Sequence, residues 1–372
     1  HYIYYNSPDG SPAEKPTEVQ IKGTLVKIDT KKNITVENLH LTMGGGGAVL
    51  INSGKAENIY ITNNEISFIE SGYSIDGAVT ISSSEKCYIS KNIIHHVFGD
   101  GIMGWQTKNS VFSENHVTGV FMGQNTGGDC IQISGKDSSG EAAAPNNKIL
   151  NNFTSMEGTD SGKGCIIHEN GYDVIISGNI CLYGNFGVEA NSTGGLVENN
   201  FCAFQGLERP ELNWTAGLYM SEAMDITNMT WRNNIVYGCK RYGFNCVTNG
   251  ANSIRNLYFY NNTIVNSGTP FSVSIKTPFY GTVKNNIFYS TTSVIYSIPN
   301  VVDGQTTEID YNLITPIQNG SISFKGSSYS NLSTYREVTG NDIHSVPAAP
   351  LFVDIDNNDL FSKNFHLYSN SP

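Results

Sequence analysis

A short phrase, apolar-x-apolar-x-x-Asn-x-apolar with a second Asn often just ahead of the first, recurs from one end of the chain to the other. It reads ITVENLHL at Asn38, IYITNNEI at Asn64, CYISKNII at Asn92 and NSVFSENHV at Asn115. It continues as KILNNFT at Asn152, VIISGNIC at Asn179, LVENNFC at Asn200 and MTWRNNIV at Asn234. LYFYNNTI at Asn262, TVKNNIF at Asn286 and IDYNLI at Asn312 complete the series, with steps of 21 to 37 residues. Each repeat carries alternating strands of about three to five residues, too short to bury an apolar face singly; stacked, they bury a continuous one. No stretch sustains a capped helical period, and propeller blades run longer, about 40 residues. The expected fold is therefore all-β: a single-stranded parallel β-helix of about eleven coils, one domain over residues 1–372. At about 4.8 Å per coil it is a rod on the order of 50 Å long. The recurrent Asn is expected at the sharp turn, tolerating the left-handed region, with its amide bonded to the Asn one coil away.

Composition excludes several classes. Acidic residues outnumber basic ones, 33 to 22, for a net charge of −11, and arginine occurs only five times, which excludes nucleic acid as the default partner. No apolar run approaches the roughly 18 residues of a membrane-spanning helix. The chain opens at His1 without Met and reads as a mature or excised domain. Its seven cysteines form no CxxC pair and no zinc-type spacing with His. Cys130 with Cys165, and Cys181 with Cys202, fall in matching slots of adjacent coils. Their spacing permits disulfides, but free thiols in an apolar ladder are the expected state.

The phrases KNIIHHVFGDGIMGW and GGDCIQISG, set in this repeat, resemble the right-handed parallel β-helix superfamily of pectate lyases and related carbohydrate enzymes. The ending APLFVDIDNNDLFSKNFHLYSNSP is similar to the last coil of many secreted members, and HYIYYNSPDGSP resembles their first strand. The resemblance implies right-handed coiling, a polysaccharide partner and a secreted or cell-surface location. Archaeal disaggregatases, which break down a cell-surface polysaccharide, are one group within it. It leaves the reaction open, because the superfamily holds lyases, hydrolases, epimerases and binding proteins.

Two steps are long, and their extra residues fall in Gly135 to Asn147 and in Phe204 to Gly217. Insertions in a solenoid gather on one face and often wall the binding groove. Both adjoin the strand type that begins DGIMGWQ, DCIQISG or KGCIIHEN. Alternation along that strand puts Ile102, Ile131, Ile166, Val188, Leu218 and Phe244 in one inward column. Met103, Gln132, Ile167, Glu189, Tyr219 and Asn245 then point outward, followed by the outward column Trp105, Ser134, Glu169, Asn191 and Ser221. The strand starts suggest a further column, Asp76, Asp100, Asp129 and Lys163. Stacked carboxylates about 5 Å apart need a cation or a shared proton, and Asp100, in the middle, is expected to have the highest pKa. Glu169 and Glu189 are expected to face solvent on the same sheet, one coil apart and offset along the strand. His168 is expected inward, and His95, His96 and His116 at turn corners on another face. Trp105, Tyr219 and Trp214 can stack on sugars, and Gln132, Arg209 and Arg241 can bind substrate.

Depolymerisation of an extracellular polysaccharide is the function expected, by glycoside hydrolysis with paired carboxylates drawn from Asp100, Asp129, Glu169 and Glu189. The alternative is β-elimination on a uronic acid, with Ca²⁺ on Asp76, Asp100 and Asp129 and with Lys163 or Arg241 as base. Few cations to hold an anionic chain weigh toward hydrolysis. A non-catalytic carbohydrate-binding solenoid is the alternative of another class.

Overall fold

The computed structural model describes residues 23–372 except 53–55, 71–76, 121–127, 137–142, 160–162, 209, 213, 222–224, 248–252, 275, 290–293, 303 and 316–320. Asp76, Arg209, the Tyr-rich opening and the middle of the first insertion therefore lie outside the described residues.

The chain is a right-handed parallel β-helix of about 10 turns. A typical coil has three strands, as in Asp100–Trp105, Val111–Ser113 and His116–Thr118. Each pairs in parallel with its counterpart one coil on: Ile102 with Ile131, Phe112 with Ile149, Val117 with Thr154. The third strands form a 12-stranded sheet. The first and second sets merge into one 23-stranded sheet, because Gly164–Ser177 and Phe186–Glu198 run unbroken through both. A bulge between Glu169 and Gly171 bends the first of these long strands at the corner.

The interior follows from the alternation. Val79, Ile102, Ile131, Ile166, Val188, Leu218 and Phe244 are fully buried, as are Ile81, Ile133, Ala190 and Met220, each two positions after a member of that column. All seven cysteines are buried and free, with Cys181 opposite Cys202 in adjacent coils.

Asparagine does two separate jobs at the turn into the third strand. The recurrent residue itself, from Asn64 to Asn312, is buried and does not adopt positive φ. Its predecessor takes the left-handed conformation: Asn63, Lys91, Glu114, Asn151, Gly178 and Asn199 all have φ between 54° and 72°. The buried Asn spends its amide on the stack. Nδ2 of Asn152 donates to Oδ1 of Asn179 at 2.9 Å and to the Phe112 carbonyl at 3.0 Å, while its backbone N–H donates to the same Oδ1 at 2.9 Å. Asn38 is not the first rung. It has φ 59° and pairs with exposed Asn63, while Leu39, itself exposed, stands in the register of the stacked Asn and donates its N–H to Asn64. At the far end Ser345 stands in the Asn register and its Oγ accepts the Asn312 N–H at 2.8 Å, while Asp342 accepts from Nδ2 of Asn312 at 3.2 Å.

The helix Leu332–Thr339, capped by Asn331 and by Gly340 at φ 71°, packs Tyr335 against Phe324 and Tyr329 near this end. The terminal segment is not a coil, contrary to the resemblance. Its strands Phe352–Asp354 and Asn364–Leu367 pair antiparallel with each other. Its aromatic rings lie back along the outside of the third-strand sheet, Phe361 on Phe153 and Phe365 on Phe201 and Tyr237.

Candidate active site

The site lies on the outer face of the first-strand set, where four consecutive coils each contribute a polar group. Their register is fixed by ladder pairs: Gln132 opposite Ile167, Ile167 opposite Glu189, and Glu189 opposite Tyr219. One step to the side, Trp105 faces Ser134, and Glu169 faces Asn191. Both outward columns are those expected from the alternation.

The column at the strand starts is different. Asp100 pairs with Gly77, not with Asp76, and Gly164 pairs with Phe186. The backbone N–H of Asp129 donates to Oδ1 of Asp100 at 2.7 Å, and the Gly164 N–H donates to Oδ1 of Asp129 at 2.7 Å. The column is thus Gly77, Asp100, Asp129, Gly164, and Lys163 stands one residue ahead of it. The expected alignment set the Asp of Asp-Gly equal to the Lys of Lys-Gly, but one residue separates Asp100 from Ile102 and two separate Lys163 from Ile166. The two aspartates are buried, and each accepts an amide proton from the next coil. Among the described residues no three His, Cys, Asp or Glu side chains are grouped to hold a metal ion. Arg241, exposed, precedes Tyr242, four coils beyond Asp129 and so about 19 Å away. It is not beside the aspartates.

Three carboxyl groups do converge. Glu189 is 4% exposed, and burial, with Glu169 and Asp129 adding repulsion, pushes its pKa up to about 8. Hydrogen bonds from Ser221 and from Asn191, whose Nδ2 lies 2.8 Å from Oε1 of Glu189, only partly oppose this. Asn191 is itself held by Ser221, accepting its backbone N–H at 2.6 Å and donating to Oγ at 2.8 Å. Glu169 is half-buried and accepts from Ser134 at 3.4 Å. Burial raises its pKa, while Lys163 and Lys136 draw it down. Burial raises Asp129 as well, opposed first by Lys163 and then by the Gly164 N–H. Lys163 therefore supplies counter-charge to two of the three carboxyls.

Beyond Glu189 the outer face turns apolar. Phe186 stacks on Tyr219 with centroids 3.9 Å apart at 14°, and Trp214 from the second insertion packs on Phe186 at 5.1 Å. Phe186, Ala216 and Tyr219 form a small apolar cluster apart from the main core, with Tyr242 and Val247 against it. Phe186 was missed from sequence because it occupies the register slot that holds Asp in earlier coils. Trp105 is exposed, two coils before Glu169. Away from this face, His168 points inward, 2.8 Å from Ser192, and burial lowers its pKa to about 4. His95, His96 and His116 lie on the third-strand sheet.

No family profile and no curated protein matches the chain. Among solved structures it is similar to the Dettilon tailspike protein (gp208), with 12% identity and a TM-score of 0.45 over 80% of this chain and 61% of that one. It is similar to the catalytic domain of GH87 α-1,3-glucanase in complex with nigerose, with 12% identity and a TM-score of 0.43 over 80% and 65%. Endopolygalacturonase I from Stereum purpureum gives 12% identity and a TM-score of 0.36 over 82% and 94%. The chain spans about three-fifths to two-thirds of the length of the first two. At these identities the likeness is one of fold. No helix among the described residues is long and apolar enough to cross a membrane.

Proposed function

We propose that the chain is a secreted or surface-bound glycoside hydrolase that depolymerises a polysaccharide in this outer groove. The observation that carries the reading is the meeting of Asp129, Glu169 and Glu189 on adjacent coils, with Glu189 buried and protonated, and buried Asp129 and more open Glu169 both countered by Lys163. Glycosidic cleavage needs a carboxyl that still holds its proton and a carboxylate that does not. Glu189, at about 8, keeps its proton at neutral pH and donates it to the leaving oxygen. Glu169, more open and drawn down by Lys163 and Lys136, activates water. Asp129 lends negative charge to the oxocarbenium-like transition state. Because Glu189 is nearly sealed, donation requires the Asn191 side chain, which is bonded to it, to swing aside when the sugar enters.

Glu169 and Glu189 are diagonal neighbours, for which a backbone separation of about 7–8 Å is usual. A carboxyl pair roughly 6.5–9.5 Å apart acts by inversion and one roughly 5–5.5 Å apart by retention, so the anomeric form of the first product reports the separation of the carboxyl groups themselves. The test is to incubate the protein with neutral glycans and polyuronides, following reducing ends and the absorbance of unsaturated sugars together. New reducing ends without that absorbance support hydrolysis. Both signals together would make the chain a lyase, and neither would leave a binding module.

A further inference from the structure

The chain has three tryptophans, and the fold treats them unequally. Trp231 is fully buried in the core, whereas Trp105 and Trp214 are 41% and 40% exposed. Both lie on the face that carries the carboxyl groups, in line with them along the solenoid. Trp105 shares an outward column with Ser134, and Ser134 in turn bonds Glu169, so its indole sits two coils before that carboxyl. Trp214 is on the other side. It rests on Phe186, whose ring stacks on Tyr219, and Tyr219 is the ladder partner of Glu189 on the next coil. From the coil of Trp105 to that of Tyr219 is four steps, on the order of 20 Å. The carboxyl groups occupy the middle of this span.

We infer that Trp105 and Trp214 are sugar-stacking platforms on opposite sides of the cleaved bond, so that the groove takes an uncharged pyranose chain along the solenoid axis and cuts it internally. This rests on the glycan-cleaving reading of the site. Indole faces suit the C–H faces of pyranose rings, and two platforms in line with the axis hold a chain on both sides of the carboxyls. A chain held on both sides is positioned by internal units rather than by its end. Lys163 and Lys136 face Asp129 and Glu169, two cations against two carboxyls, and so leave no surplus positive charge to hold a uronic acid. The Phe186–Tyr219 stack is itself buried and serves to fix the Trp214 indole.

The experiment uses soluble neutral glycans (α- and β-linked glucans, mannan, xylan) with polygalacturonate and alginate as the charged arm. The glycan that is cut is then supplied as end-labelled oligosaccharides. The wild type is expected to cut internal bonds, and W105A and W214A to shift the preferred bond in opposite directions along the labelled chain. Each should also raise KM roughly tenfold with little change in kcat. A second arm titrates E189Q with the same glycan panel and follows tryptophan fluorescence, which should change on binding and lose that change in the triple variant E189Q/W105A/W214A. Binding by the panel without turnover of the wild type would leave the two platforms standing and remove the hydrolase reading. Release of single sugars from one end, cleavage unaffected by either Trp variant, preferred binding of the polyuronides, or no glycan-dependent fluorescence change would overturn the inference.

Discussion

The side-chain amide of Asn191 lies 2.8 Å from Oε1 of Glu189, two residues away on the same strand, and ties that carboxyl to Ser221 on the next coil. This bond favours the ionised form of Glu189, against the burial that favours the neutral one. Replacing Asn191 by Leu keeps the site dry while removing the donor. The alkaline limb of kcat/KM, which reports the acid in the free enzyme, should then move to higher pH. A limb that stays in place in Asn191→Leu would detach that limb from Glu189.

Glu189 also makes stability depend on pH. Its folded pKa, about 8, is raised above the ordinary carboxyl value near 4.5, so the folded state binds more protons between those limits. Stability should be greatest at and below the lower limit and fall as pH rises through about 8. Asp342, raised by burial to about 6 at the end of the Asn ladder, adds a slope of the same sign at lower pH. Thermal unfolding from pH 5 to 9 should show a falling Tm, and Glu189→Gln should flatten the upper part of the fall. A wild-type Tm that rises across this interval would contradict the burial of these carboxyls.

The two asparagine positions at the turn should respond unequally to substitution. Asn179→Ala removes a donor and an acceptor from the buried stack, leaving Asn152 and the Ile149 carbonyl short of partners. Such orphaned groups cost about 1–3 kcal/mol each, which urea unfolding will read. Asn151→Gly, at exposed φ 54°, should change stability by only a few tenths of a kcal/mol, since glycine adopts that conformation freely. Equal losses at both positions would contradict the division of labour.

The seven thiols should be silent in the native state, because all are buried and unpaired. A thiol-reactive chromophore is expected to label none of them in the folded protein and all seven after denaturation. Fewer than seven after denaturation would reveal disulfides, and rapid native labelling would reveal an open core.

Strand alternation made much of this fold legible in the sequence. The inward Ile102–Ile131–Ile166 column and the outward Glu189 and Glu169 columns follow from side chains that switch face at every residue, and the register needed no turn geometry. The Asp column failed because the segment between the preceding turn and the strand varies by one residue from coil to coil. Asp76 and Lys163 both precede a Gly, as Asp100 does, yet only Asp100 and Asp129 stand in one register. The buried Asn could not be told from its left-handed neighbour by composition, since Asn-Asn occupies both positions in half of the repeats. Phe186 and the folded-back terminal segment escaped for another reason. What they bury is the outer surface of the solenoid, which no strand period reports.

The account turns on Glu189 as the proton donor. Its most direct test is the rate of reducing-end release from a neutral polysaccharide by wild type and by Glu189→Gln, with folding of the variant checked by thermal unfolding. General acid catalysis typically contributes about 10²–10⁴-fold, so Glu189→Gln should lose at least two orders of magnitude in kcat while remaining folded. A folded Glu189→Gln protein that turns over within a few-fold of wild type would contradict it.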